Sequence, residues 1–190
     1  MGIFENNETT GLTYPEIDSI VKALTFAARK HRDQRRKDVI ASPYINHPIQ
    51  LMHVLVSEAQ VLNASAIVGA ILHDTIEDTH TTGDEITGHF GSEIAKIVLE
   101  VTDNKDLSKQ ERKQAQIDHA SHLSYEAKLI KFADKICNLR DMMNHPPANW
   151  SLQRRQEYFD WAKLVIDQMR GTHTRLEQLF DAIYVCRPTE

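Results

Sequence analysis

Apolar residues recur at intervals of three and four along almost the whole chain, and that periodicity leaves room for little except helices. Ile17, Ile20, Val21, Leu24, Ala27 and Ala28 form one stripe, and Pro48 opens a second through Ile49, Leu51, Met52, Val54 and Leu55. A third helix is expected from about Ala64 to Glu77. Thr82 with Glu85, and Ser108 with Glu111, have capping-box spacing, and Ile94, Ile97, Val98 and Val101 mark the helix between them. Another helix is expected over Tyr125–Met143, ended by Pro146-Pro147. Ser151 is placed to cap the next, which Gly171 stops, and Leu176, Leu179, Phe180 and Ile183 mark the last. No segment alternates as a strand does. The expected class is all-α, with a short flexible tail over residues 1–13 and one domain over 14–190.

The 190 residues are enough for one sizeable core. A net charge of −5 argues against a general nucleic-acid binder, and no apolar run approaches the roughly 20 residues that cross a bilayer. The start of the chain lacks the order of a signal peptide. Cys137 and Cys186 make neither a disulfide framework nor a CxxC metal motif, so the composition reads as cytosolic. Oligomeric state stays open.

Within the third helix the stretch ILHDTIEDTH places His73, Asp74, Glu77 and Asp78 directly after an apolar run. Residues four apart share a helix face, which sets His73 a turn from Glu77 and Asp74 a turn from Asp78. Two further candidates lie outside it. His47 precedes Pro48 and is expected as a helix N-cap, where the positive end of the helix favours the neutral ring that a metal needs. Asp134 lies among inward-facing apolar residues with Asn138 one turn on, and a buried carboxylate needs a partner. The bland alternatives are a salt bridge from Asp134 to Lys131 or Lys135, and plain capping by His47. Two histidines and two aspartates suit a first-row divalent ion better than a structural zinc. Glu77 or Asp78 is then placed to take a proton from water acidified by that ion.

Arg29-Lys30-His31-Arg32-Asp33-Gln34-Arg35-Arg36-Lys37 carries six Lys or Arg against one acid, a local +5 that reads as either a solvated helix end or a phosphate clamp. Lys109 with Arg112, or Arg154 with Arg155, can add charge. There is no P-loop and no GxSxG elbow.

Together the segments FAARKHRDQRRKD, SPYINHP, ILHDTIEDTHTT, ITGHFG, VTDNK, KFADKICNLRDM and QEYFDWA resemble the HD-domain phosphohydrolases. More narrowly they resemble the alarmone hydrolase domain of the Rel/SpoT family, in its stand-alone small forms. The resemblance covers about Phe26 to Ala162. It implies a manganese ion held by His47, His73, Asp74 and Asp134, and a catalytic acidic pair, Glu77 and Asp78. It implies that Arg36 and Lys37 position phosphate, that Asn138 lines the nucleotide pocket, and that Lys109 and Tyr158 touch substrate. The implied reaction removes the 3′-diphosphate of (p)ppGpp as pyrophosphate. The adenosine alarmone (p)ppApp and the 2′-phosphate of NADPH are alternative substrates of the same site, and a nucleotide-binding sensor is the non-enzymatic alternative.

Overall fold

The computed structural model describes residues 11–147 and 149–189. Helices are α1 Tyr14–Lys30, α2 Asn46–His53, α3 Ala64–Leu72, α4 Thr75–Asp78, α5 Gly83–Val101, α6 Lys109–His119, α7 Tyr125–Asn144, α8 Leu152–Asp167 and α9 Thr174–Tyr184. A π-helical segment, Val54–Glu58, continues α2, and a 3-10 turn, Ala120–His122, follows α6. Among the described residues there is no strand, only an isolated antiparallel bridge between Arg35 and Pro43. The class is all-α, as the periodicity implies.

Local chemistry starts most of these helices. Ser108 and Glu111 make a complete capping box, and Ser151 Oγ accepts the Arg154 N–H at 3.2 Å. Thr82 makes only half of its expected box. Its hydroxyl accepts from Glu85 N, but the Glu85 carboxylate is drawn away to Lys30 Nζ at 2.8 Å. Gly91 bends α5 with φ +86°, a value that favours glycine, and so separates its capped start from the stretch carrying Ile94 and Val98. α8 ends at Asp167, and Gly171 lies beyond it at φ +87°. Of the tail expected over 1–13, residues 1–10 lie outside the described residues. Leu12 packs against the core, and Thr13 closes a capping box with Glu16 at the start of α1.

α3 is buried from Ala66 to its last residue, Leu72, and packs against α1, α2, α5 and α7. A helix apolar on every face sits in the core. Its polar continuation therefore opens into the interior of the protein, beside α2 and α7.

Candidate active site and metal centre

The helix expected over Ala64–Glu77 breaks at His73 and Asp74. Two side chains cause this by taking carbonyls that the helix would use. His73 Nδ1 lies 2.8 Å from Ala70 O, and Thr75 Oγ1 donates to Leu72 O at 2.6 Å. Asp74 relaxes to φ −98°, ψ 0°, and α4 resumes for a single turn. Asp78 N still bonds Asp74 O at 2.9 Å, so the acidic pair keeps its place one turn on.

The same Ala70 contact fixes the His73 tautomer. A carbonyl only accepts, so Nδ1 carries a proton and Nε2 is the nitrogen left to face an ion. That nitrogen is buried and has no hydrogen-bond partner, although Asp74 Oδ2 lies only 2.9 Å away. The two atoms crowd together without the alignment of donor and acceptor, as neighbouring ligands of one ion would.

His47 sits inside the first turn of α2 rather than at its N-cap, which is Ile45. The chain turns helical earlier than Pro48 suggests because Pro43 O and Tyr44 O already accept from Asn46 N and His47 N. Burial is the main cause holding the His47 ring below the usual imidazole range, which keeps it neutral. Its Nε2 is 3.3 Å from Asp134 Oδ1.

Asp134 also meets one of the bland expectations. Lys135 Nζ contacts its Oδ2 at 3.0 Å, while Lys131 turns away to Val101 O. Asn138 Nδ2 donates to Asp134 Oδ1 at 2.6 Å. Burial disfavours the Asp134 charge, but the Lys135 ammonium beside it outweighs burial and keeps the carboxylate ionised.

His47, His73 and Asp134 each offer a ligand atom, and the three atoms lie within 4.8 Å of one another. Asp74 stands beside that trio and accepts the Tyr44 hydroxyl. Neutral nitrogen, ionised oxygen and a buried nitrogen without a hydrogen-bond partner are a donor set that fits a divalent cation. The residues present therefore fit the ion that the sequence implies.

All of these residues line one cavity of about 690 Å³, together with Glu77, Asp78, Arg36, Lys37, Lys109 and Tyr158. The acidic pair is not symmetric. Glu77 accepts the Asp103 N–H at 3.2 Å, whereas Asp78 is engaged by Lys105 at 2.9 Å and Gln34 at 3.0 Å. Burial first, and the Asp74 charge second, raise Glu77 above the usual carboxylate range.

The basic segment divides. Arg36 and Lys37 reach the cavity, while Lys30 pairs with Glu85, Arg32 with Asp33, and Arg35 bonds the Arg32 and Gln34 carbonyls. Arg36 lies over the Tyr44 ring and donates one N–H to Asp141. On the far wall, Lys109, Lys113 and Arg154 lie over the rings of Trp150, Tyr158 and Trp161. Tyr44, Lys113 and Gln116 also line the cavity and were not expected from the sequence. The first had no signal, but Lys113 and Gln116 are four and seven residues after Lys109, on one helical face.

An all-α fold presenting two histidines and two aspartates to one cavity defines an HD-type centre, and residues 23–164 match the family described as HD domain. The chain belongs to the HD-domain family. Within it, the chain is 49% identical to the guanosine-3′,5′-bis(diphosphate) 3′-pyrophosphohydrolase MESH1 of Xenopus tropicalis, over 87% of this chain and 93% of that protein. The Homo sapiens protein of the same name is 47% identical, over 89% and 94% respectively. A solved structure, described as a metazoan ortholog of SpoT that hydrolyzes ppGpp, superposes with a TM-score of 0.88 at 44% identity. It covers 94% of this chain and all of that one.

Proposed function

We propose that the protein hydrolyses guanosine-3′,5′-bis(diphosphate) at its 3′ position. Water attacks the phosphorus bonded to the ribose 3′ oxygen, the bond between them breaks, and the products are GDP and pyrophosphate. The observation that carries this reading is the convergence on one cavity of a cation-binding trio, an acidic pair and a set of Lys and Arg side chains. Likeness to the MESH1 relatives named for this reaction supports it.

Roles follow from position. His47, His73, Asp74 and Asp134 would hold the ion, proposed as manganese. A divalent ion there lowers the pKa of water and offsets charge on phosphate oxygens. Glu77, raised above the usual carboxylate range and held by one N–H, takes the proton from the attacking water. Asp78, engaged by Lys105 and Gln34, completes the acidic face. Arg36, Lys37 and Lys109 offset the charge of the diphosphate under attack. Asn138 orients Asp134 and faces the nucleotide, and Tyr158 supplies an aromatic wall.

The test is to strip the protein of metal, resupply manganese, and offer ppGpp, ppApp and NADPH separately. Manganese-dependent pyrophosphate from ppGpp is expected. Pyrophosphate from ppApp alone would change the base and keep the mechanism. Orthophosphate from NADPH alone would make the protein a cofactor phosphatase, and no turnover would leave a nucleotide-binding sensor.

A further inference from the structure

An unbroken polar chain crosses the cavity wall from Asp134 to Glu77, through side chains that the proposed reaction does not use. Lys135 Nζ contacts Asp134 Oδ2 at 3.0 Å and donates to Gln116 Oε1, also at 3.0 Å. Gln116 Nε2 lies 2.8 Å from each carboxylate oxygen of Asp103. The Asp103 backbone N–H then donates to Glu77 Oε2 at 3.2 Å.

The Gln116 amide cannot turn over in this setting. An ammonium only donates and an ionised carboxylate only accepts, so Oε1 must face Lys135 and the NH2 group must face Asp103. Lys135 is itself fixed, because it is buried and lies 4.4 Å from the centre of the Trp161 ring. Trp161 Nε1 in turn donates to Lys113 O on α6 at 3.0 Å. Gln116 is thus a rigid strut from α6 to the loop after α5.

Asp103 follows the last residues of α5 in an irregular stretch with no helix of its own. Of the hydrogen bonds that reach Asp103 among the described residues, those from Gln116 are the ones that hold its side chain. Its N–H is also the one hydrogen-bond donor found on Glu77 there. The aim of the Glu77 carboxylate therefore depends on where Gln116 holds Asp103.

We infer that Gln116 is a positioning residue for Glu77, acting through Asp103, in the hydrolysis proposed above. Gln116 lines the same cavity, and the role assigned to it is to hold Asp103 rather than to meet the reacting atoms. The inference rests on the functional reading, and the experiment separates the two.

Pyrophosphate release from ppGpp is measured with manganese-loaded wild type, Gln116→Leu, Glu77→Gln and the double variant. Leucine keeps most of the volume and removes both ends of the strut. Gln116→Leu is expected to lower kcat about 10-fold, a size usual for losing a group that orients an active-site carboxylate. KM and bound manganese should stay within about twofold of wild type. In the Glu77→Gln background the same change should cost nothing further, because two residues acting in series are not additive. A plain packing role would instead lower kcat by the same factor in both backgrounds, and that result would overturn the inference, as would a Gln116→Leu variant with unchanged kcat. Gln116→Glu guards against misfolding of the first variant. It keeps the reach and the Lys135 contact but sets carboxylate against carboxylate at Asp103, so it should lose at least as much kcat, again only when Glu77 is present; wild-type kcat here would count against the inference. An inactive wild type would overturn the functional reading and this inference with it.

Discussion

Glu77 and Asp78 are adjacent acids with different surroundings, and the difference decides which of them accepts a proton. Glu77 has burial and the Asp74 charge against its ionised form, opposed by a single N–H from Asp103. Asp78 has a lysine and an amide beside it. Glu77→Gln should therefore lower kcat by about 10²-fold while leaving bound metal unchanged, and near-wild-type turnover would remove Glu77 from the mechanism. A base works only when ionised, so kcat should fall as pH drops through the raised Glu77 pKa, and the variant should lose that acid limb. Stability should move the other way. A carboxyl group raised on folding stabilises the folded protein below its unfolded pKa and loses that contribution as pH rises through the folded one. In metal-stripped protein, Glu77→Gln should melt higher than wild type at neutral pH, with the gap closing near pH 4. At this scale the grouping of His47, His73, Asp74 and Asp134 on one cavity could be read from the linked motifs together, since a His-Asp doublet alone is weak. Tyr44 and Gln116 could not be, since their significance lies in partners 13 to 30 residues away that only the fold brings together.

At the scale of elements, the caps and stripes could be read from the chain because they depend on residues within one turn. Ser108 with Glu111, and Ser151 over Arg154 N, behave as their spacing implies. The break between α3 and α4 could not be read this way. It arises where His73 and Thr75 side chains outcompete backbone N–H groups for carbonyls, and helical periodicity is blind to that competition. The π-helical turn at Val54–Glu58 was missed for a related reason. Its geometry is secured from a distance, by the Arg140 fork on the Glu58 carboxylate at 2.6 and 2.8 Å. The position of α3 itself depends on Gly69. A Cβ there would lie 2.8 Å from Ile130 Cδ1 and 2.9 Å from Ile97 Cγ2, inside any real contact. Gly69→Val should destabilise the protein by about 2 kcal/mol through overpacking, measured by urea unfolding. An unchanged midpoint would mean that α5 and α7 can separate at no cost.

For the whole molecule, the candidate metal ligands bring together distant parts of the chain. His47 belongs to α2, His73 to the break after α3, and Asp134 to the middle of α7, so a cation held by all three joins the two hydrophobic clusters of the core. An ion that binds only the folded protein stabilises it by mass action, about 2.7 kcal/mol at a hundredfold excess over Kd. For a chain of this length each kcal/mol shifts Tm by about 2–4 °C. Adding manganese to stripped protein should then raise Tm by roughly 5–10 °C, and chelation should reverse it. Variants separate holding the ion from using it. Asp134→Ala should abolish the shift by leaving the two imidazoles without their shared carboxylate. Arg36→Ala should keep the shift and raise KM, because Arg36 pairs with Asp141, lies over Tyr44 and hydrogen-bonds none of the four candidate ligands itself. If Asp134→Ala keeps the full manganese shift, the ion binds elsewhere, and the trio of His47, His73 and Asp134 is then an internal ion-pair cluster held by Lys135.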